Sequence, residues 1–196
     1  MPSIRCFVLE PTGRAQRSLR RYVSSSDKTR ACPLPFGYHD ASRPFDVVRV
    51  RRAANGTWRI SSSGAPPHRD RQWPKRCACG YRFLADDQWQ LFSEVIYRRT
   101  DTREEMTLRE APVGAMWNAD WMSSFNKGAD GRCLVVKTPG GEWMVDGDSY
   151  NSDGTLQHSP GWTRSGEWPD VTASPSILMH RGGYHGWLRG GYLVDA

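Results

Sequence analysis

The chain has 196 residues, of which 38% are hydrophobic, and a formal net charge of +6. That length is enough to bury a hydrophobic core without disulfides, and 9 Trp, 7 Tyr and 6 Phe supply large apolar surfaces that disordered chains lack. No segment approaches the roughly 18 apolar residues of a membrane span, and the first apolar stretch is too short for a secretion signal. These properties exclude a disordered chain and a membrane protein, and they predict a folded protein of the cytoplasm.

The cysteine content predicts reduced thiols. Five cysteines, an odd number, occur in a chain without a secretion signal, so a disulfide framework is not expected. We expect free thiols, some of which bind a metal ion.

Positive charge is concentrated in the first part of the chain. Residues 1–76 hold 16 Lys and Arg against 5 Asp and Glu, whereas residues 77–196 hold 11 against 16. The first part is therefore a candidate surface for phosphates or another acidic partner, although a solvated surface is the simpler interpretation. Only 4 of the 27 basic residues are Lys, which suits planar phosphate recognition by Arg but also fits GC-rich coding.

The N-terminal region predicts strands and loops. A short strand over Ile4 to Leu9 leads into a basic stretch, and four prolines and glycines between residues 32 and 44 exclude a regular helix there. Phe45 to Arg52 and Thr57 to Ser61 alternate in polarity around Asn55-Gly56, a tight-turn signal, and so predict a hairpin.

The C-terminal region predicts two short helices among hairpins. Asp86 is placed to cap a helix carrying Trp89 and Phe92, and Gly114 to Met122 has the spacing of a short amphipathic helix. Strands are predicted over 94–99, 106–110, 133–137, 142–146 and 187–194 and near residue 177, with a turn at Pro139-Gly140-Gly141. The predicted class is α+β, mainly antiparallel β hairpins with one or two short helices and a zinc site. Residues 1–72 form a basic β and loop region and residues 73–196 a zinc-binding β-rich region of one folded unit.

Cys77 and Cys79 are the first candidate metal ligands. One residue separates the two thiols, and Gly80 lets the backbone turn sharply enough for both to face one ion. A thiolate pair is a soft donor set suited to zinc. Inert cysteines and redox chemistry are the alternatives.

Two histidines near the C-terminus could complete the set. His180 and His185 flank a glycine pair, at a spacing within the range of structural zinc sites. With Cys77 and Cys79 they predict a closed Cys₂His₂ site, although each histidine could equally be an ordinary polar loop residue. Failing the histidines, the metal would draw on Cys32, His39 or Cys133, the second of which sits in a His-Asp pair typical of a turn.

Four sequence blocks carry a family resemblance. CACGYRFLADDQWQ, APVGAMWNADWM, DGRCLVVKTPGGEWMVDG and GYHGWLRGG resemble the motif series of an uncharacterised protein family found in bacteriophages and prophages. More distantly, the Cys-x-Cys block followed by PSI and an aromatic-flanked histidine resembles a small zinc-ribbon-like domain of unknown function, encoded beside bacterial ubiquitin-like conjugation genes. That domain usually carries a cysteine shortly before its histidine, whereas this chain has His180, two places further away. The first resemblance implies a location in the host cytoplasm or the virion, and neither implies a reaction.

Three functions remain as hypotheses. The first is a phage-derived zinc-binding accessory protein with a structural or protein-interaction role, since a closed shell leaves no position for a substrate. The second is a zinc-dependent hydrolase with Asp86 or Asp87 as general base, and it needs water in place of His180. The third is a module that binds nucleic acid weakly, with Trp58 stacking on a base and the first hairpin's arginines on phosphates, namely Arg49, Arg51, Arg52 and Arg59.

Overall fold

The computed structural model describes residues 3–23, 31–33, 38–54, 56–60, 64–67, 70–122, 126–151, 153–179 and 183–196. Across these ranges the chain forms sixteen β-strands and no helix. The predicted α+β class is therefore wrong: the described protein is all-β. Nor does any helix in these ranges have the length and hydrophobicity needed to cross a membrane.

Both predicted helices are strands. The segment after Asp86 forms β6 (Gln88–Arg99), and the segment after Gly114 forms β8 (Ala115–Asn118). In β8 the three consecutive residues 115–117 are all buried, which means that both faces of this strand are covered, because successive side chains point to opposite faces. A strand buried on both faces has no alternation, and its short apolar run resembles a helix segment.

The chain divides into two compact units, here called the larger unit and the basic unit. The larger unit comprises residues 1–12, 53–57 and 97–196, and the basic unit comprises residues 13–52 and 58–96. The sequence-based boundary between residues 72 and 73 lies inside the basic unit. That unit holds 16 Lys and Arg against 7 Asp and Glu.

The larger unit contains a five-stranded antiparallel sheet, in the order β1-β16-β15-β14-β13. Its strands are β1 (Ile4–Arg5), β16 (Tyr192–Asp195), β15 (Tyr184–Arg189), β14 (Thr172–Met179) and β13 (Thr163–Ser165). Its inner face joins a core of buried apolar side chains that includes Val171, Ile177, Leu188 and Leu193.

A second sheet runs in the order β10-β9-β8-β2-β6-β7, and of its strands residues 13–22 of β2 and 88–96 of β6 belong to the basic unit. Besides β6 and β8, its strands are β2 (Phe7–Tyr22), β7 (Glu105–Thr107), β9 (Leu134–Thr138) and β10 (Gly141–Met144). The predicted hairpin at Pro139-Gly140-Gly141 is present as β9 and β10, in which Lys137 pairs with Glu142. A separate short ribbon joins β11 (Ser149–Tyr150) to β12 (Leu156–His158).

The basic unit is built on a long antiparallel ribbon. Residues 14–22 of β2 pair with β3 (Asp40–Arg49), and the two-residue strands β4 (Arg51–Arg52) and β5 (Trp58–Arg59) pair next along the chain. This second pairing confirms the predicted first hairpin only next to its turn, because residues 46–49 pair with β2 instead. Asn55 of the turn lies outside the described residues. A small core in this unit collects Val23 and Phe83 together with two cysteines.

Candidate metal centre

A tight loop over residues 75–83 presents Cys77 and Cys79. The amide of Cys77 donates to the carbonyl of Tyr81 at 2.9 Å, and the amide of Gly80 donates back to the carbonyl of Cys77 at 2.9 Å. Gly80 has φ +94°, a left-handed conformation that glycine adopts without a steric penalty. The glycine thus turns the chain immediately after the second thiol, as the sequence predicted.

A second segment brings Cys32 and His39 to the same place. The carbonyl of His39 accepts a hydrogen bond from the amide of Val23 at 2.9 Å, which sets its position at the start of β3. Its imidazole stacks on the ring of Tyr81, with centroids 3.9 Å apart and planes inclined by 9°. This stacking fixes the imidazole beside the cysteine loop, and Cys32 is buried in the same small core.

The four side chains form a compact donor cluster. One ligand atom from each of Cys32, His39, Cys77 and Cys79 lies within 4.8 Å of all the others, and Cys79 Sγ is 3.2 Å from His39 Nδ1. In a tetrahedral zinc site with Zn–S bonds near 2.3 Å, neighbouring sulfurs stand about 3.8 Å apart. The cluster therefore has the size, the number of donors and the donor chemistry to hold a metal ion.

The surroundings of Cys77 favour its thiolate. Burial by itself would raise the pKa of this thiol, but hydrogen bonds with the backbone of Cys79 and Asp40 and with the His39 and Cys79 side chains outweigh it and lower the pKa to about 6. By contrast, burial raises the pKa of Cys6, in the larger unit, to about 11. Thiolate is the form that binds metals, so Cys77 is prepared for coordination and Cys6 is a core thiol.

This shift predicts a pH dependence of the metal-free protein. A thiol whose pKa falls from 9.0 to about 6 on folding adds stability above pH 9, and that stability is lost as the pH falls towards 6. We therefore expect the difference in unfolding free energy between the metal-free protein and its Cys77→Ser variant to shrink over this interval. Denaturant titrations at a series of pH values measure it, and a difference independent of pH would contradict the shift.

Both neighbouring carboxylates have structural partners. Asp87 is buried, and its Oδ2 accepts hydrogen bonds from the amide of Leu84 at 2.7 Å and from the hydroxyl of Tyr81 at 3.3 Å. Asp40, next to His39, is held by Arg20 through two hydrogen bonds of 2.9 and 2.7 Å. These contacts fix the ends of the two segments that supply the ligands.

The structure brings together only part of the predicted ligand set. Cys77 and Cys79 meet, and the residues beside them are Cys32 and His39. His185 lies in β15 opposite Leu178, is exposed, and has its Nε2 3.3 Å from Ser176 Oγ. His180 lies outside the described residues, so its assignment as a ligand stays a prediction, as does that of His185.

From the sequence, Cys32 and His39 were expected to bind the metal only if the C-terminal histidines did not. Six residues separate them, outside the usual ligand spacings, and the His-Asp pair after a proline-rich run has the form of a turn. The available signal was a cysteine and a histidine at the two ends of one short segment that contains two prolines.

Fold and site together define an all-β protein with a Cys₃His cluster that could hold a metal ion. No family model, curated protein or solved structure matches the chain.

Proposed function

We propose that this protein binds one zinc ion through Cys32, His39, Cys77 and Cys79, and that the ion has a structural role in a protein that acts by binding a partner. The observation that carries the proposal is the convergence of four metal-ligating atoms within 4.8 Å of one another, beside the small core of the basic unit. Four protein ligands fill a tetrahedral shell, which is typical of structural zinc sites.

The donor chemistry supports zinc. Three sulfurs and an imidazole nitrogen form a soft set that suits Zn²⁺, whereas Mg²⁺ and Ca²⁺ prefer oxygen ligands. The five cysteines are all free thiols, and the low pKa of Cys77 reduces the proton release that binding would require at neutral pH.

A structural role follows from where the ligands lie. Cys32 and His39 precede β3, while Cys77 and Cys79 come about 40 residues later, in the tight loop over residues 75–83. Joining the two segments through one ion makes the chain between them a closed loop. Closing such a loop costs chain entropy, and the apolar side chains beside the site are few. Metal bonds would offset that cost and hold the two segments of the basic unit together.

The hydrolase remains the second candidate, and the geometry favours it less. It needs an open coordination position for water, and of its two candidate bases Asp87 is buried with both a backbone and a phenol partner. Cobalt substitution separates the two functions: the absorption spectrum of a closed site should not change when azide is added, and a change would favour the hydrolase.

The proposed role predicts how metal removal acts. Protein purified without chelators should contain about one zinc per chain. Chelation should then raise amide hydrogen exchange in residues 75–87 and 38–41, since the metal holds these segments, while β14 to β16 keep their protection. Mass spectrometry of the native protein and exchange by segment measure both. Absence of zinc, or exchange that chelation leaves unchanged, would contradict the structural role.

We also propose that the protein is a phage-derived accessory protein of the host cytoplasm. The resemblance of the four sequence blocks to phage and prophage proteins supports this location. Sedimentation of infected-cell lysate would test this, because an accessory protein stays with the free proteins and a virion component sediments with the particles.

A further inference from the structure

Arginines face one another across the β ladders of the basic unit. In three places, two arginines occupy directly opposed positions of an antiparallel pairing, twice between strands and once in an isolated bridge. The pairs are Arg14 with Arg49, Arg51 with Arg59, and Arg76 with Arg82. Directly opposed residues have Cβ atoms about 5 Å apart, and like charges in that arrangement destabilise a sheet. A bound anion would reduce the repulsion between the arginines of these three pairs.

Two of these pairs lie on one side of the strands. Arg49 and Arg51 are exposed and flank Val50, which is buried. The amide of Val50 donates to the carbonyl of Gly13 at 2.9 Å, so the ladder continues from β3 towards β4. Because side chains alternate along a strand, Arg49 and Arg51 point to the same exposed side. Their cross-strand partners share it, which makes one row of Arg14, Arg49, Arg51 and Arg59, here called the arginine row.

The ion pairs of the basic unit use other arginines. Arg17 is buried and pairs with Asp46, and Arg20 pairs with Asp40. In the described parts of the chain, Arg49, Arg51 and Arg59 make no ion pair. Asp46 and Asp40 thus compensate arginines elsewhere in the unit, and Arg49, Arg51 and Arg59 keep their positive charge.

We infer that the arginine row binds the phosphate backbone of nucleic acid. Alternate residues of a strand are about 6.7 Å apart, roughly twice the 3.4 Å axial spacing of phosphates on one DNA strand. Guanidinium groups match phosphate oxygens in bidentate geometry. An interface with a protein partner would have an apolar centre. Among the described residues of β3, Val47 is the one large apolar side chain that is exposed near the row.

The arginine row recognises the charge of the nucleic acid and not its base sequence. Trp58, expected from the sequence to stack on a base, is half-buried, and the guanidinium of Arg52 lies 5.6 Å from its ring centroid. With one ring face occupied, Trp58 is a poor stacking platform. Binding therefore has no base preference and weakens steeply with salt.

Fluorescence anisotropy with a short labelled DNA duplex tests the inference, using metal-loaded protein over about 50 to 200 mM salt. The triple variant R49A/R51A/R59A should bind at least about tenfold more weakly, with a salt slope smaller by about 3. The control K127A/R132A/R189A removes three exposed charges from the larger unit and should stay within about twofold of wild type. Equal losses in both variants, or no binding at the lowest salt, would overturn the inference.

A single substitution separates binding from folding. Arg51→Glu places a carboxylate opposite Arg59, so the midpoint of thermal unfolding should rise by roughly 1 to 3 °C while DNA binding weakens. A midpoint that falls together with binding would mean that the row is structural and would overturn the inference. Displacement of the labelled DNA by polyglutamate at a lower concentration of charge than by unlabelled DNA would also overturn it, in favour of an acidic protein partner. Zinc content is measured on every variant and should not change, which keeps this result separate from the structural role of the metal.

Discussion

Replacing His39 by alanine should release the metal and loosen the basic unit. The substitution removes one of the four proposed ligands and also the ring that stacks on Tyr81. Removing an outer partner of a ligand typically weakens metal affinity 10- to 100-fold, and loss of a direct ligand should exceed about 100-fold. Because metal binding is coupled to folding, we expect the stability of the metal-loaded basic unit to fall by several kcal/mol, with Cys32→Ser and Cys77→Ser acting alike.

His185→Ala is the matched control for this result. It removes an exposed histidine of the larger unit whose described polar contact is with Ser176, and it should leave zinc content and affinity unchanged. Zinc titration of each purified variant against a competing chelator gives the comparison. Release by His185→Ala with retention by His39→Ala would restore the set of ligands expected from the sequence and refute the cluster.

The second large effect concerns a buried ion network in the larger unit. Arg164 donates from Nε to Asp146 at 2.7 Å and also pairs with Asp130, and Asp146 further accepts the amide of Leu134 at 2.7 Å. The side chains of Arg164 and Asp146 are 8% and 6% exposed. Arg164→Met would leave the carboxylate of Asp146 buried without its counter-charge, a situation that costs about 3 to 5 kcal/mol. We expect unfolding free energies from denaturant titration to fall by that amount.

An exposed pair provides the comparison for Arg164. Arg98 pairs with Glu105 at 2.8 Å, but their side chains are 44% and 32% exposed, so Arg98→Met should cost less than about 1 kcal/mol. The double variant Arg164→Met with Asp146→Asn should regain part of the loss, because it removes the unpaired charge. Equal costs for the two arginine variants would show that burial does not set the strength of these ion pairs.

Local sequence signals were reliable where the interaction itself was local. The glycine after Cys79 predicted the sharp turn at residue 80, and the Pro-Gly-Gly turn predicted the hairpin of β9 and β10. The excess of arginine in the first 76 residues predicted the positive charge of the basic unit. Each of these features depends on neighbouring residues, whose conformational preferences act before any distant contact forms.

Features that depend on distant contacts could not be predicted in this way. Segments 88–99 and 115–118 were expected to be helical or partly so, since short apolar runs fit either periodicity, and only pairing with other strands makes them β6 and β8. The residues that face Cys77 and Cys79 were also decided by tertiary structure. By itself the sequence determined that these two thiols are close enough together to face one metal ion. Tertiary structure brings Cys32 and His39 to these thiols, because the hydrogen bond from Val23 and the stacking on Tyr81 hold His39 against the cysteine loop.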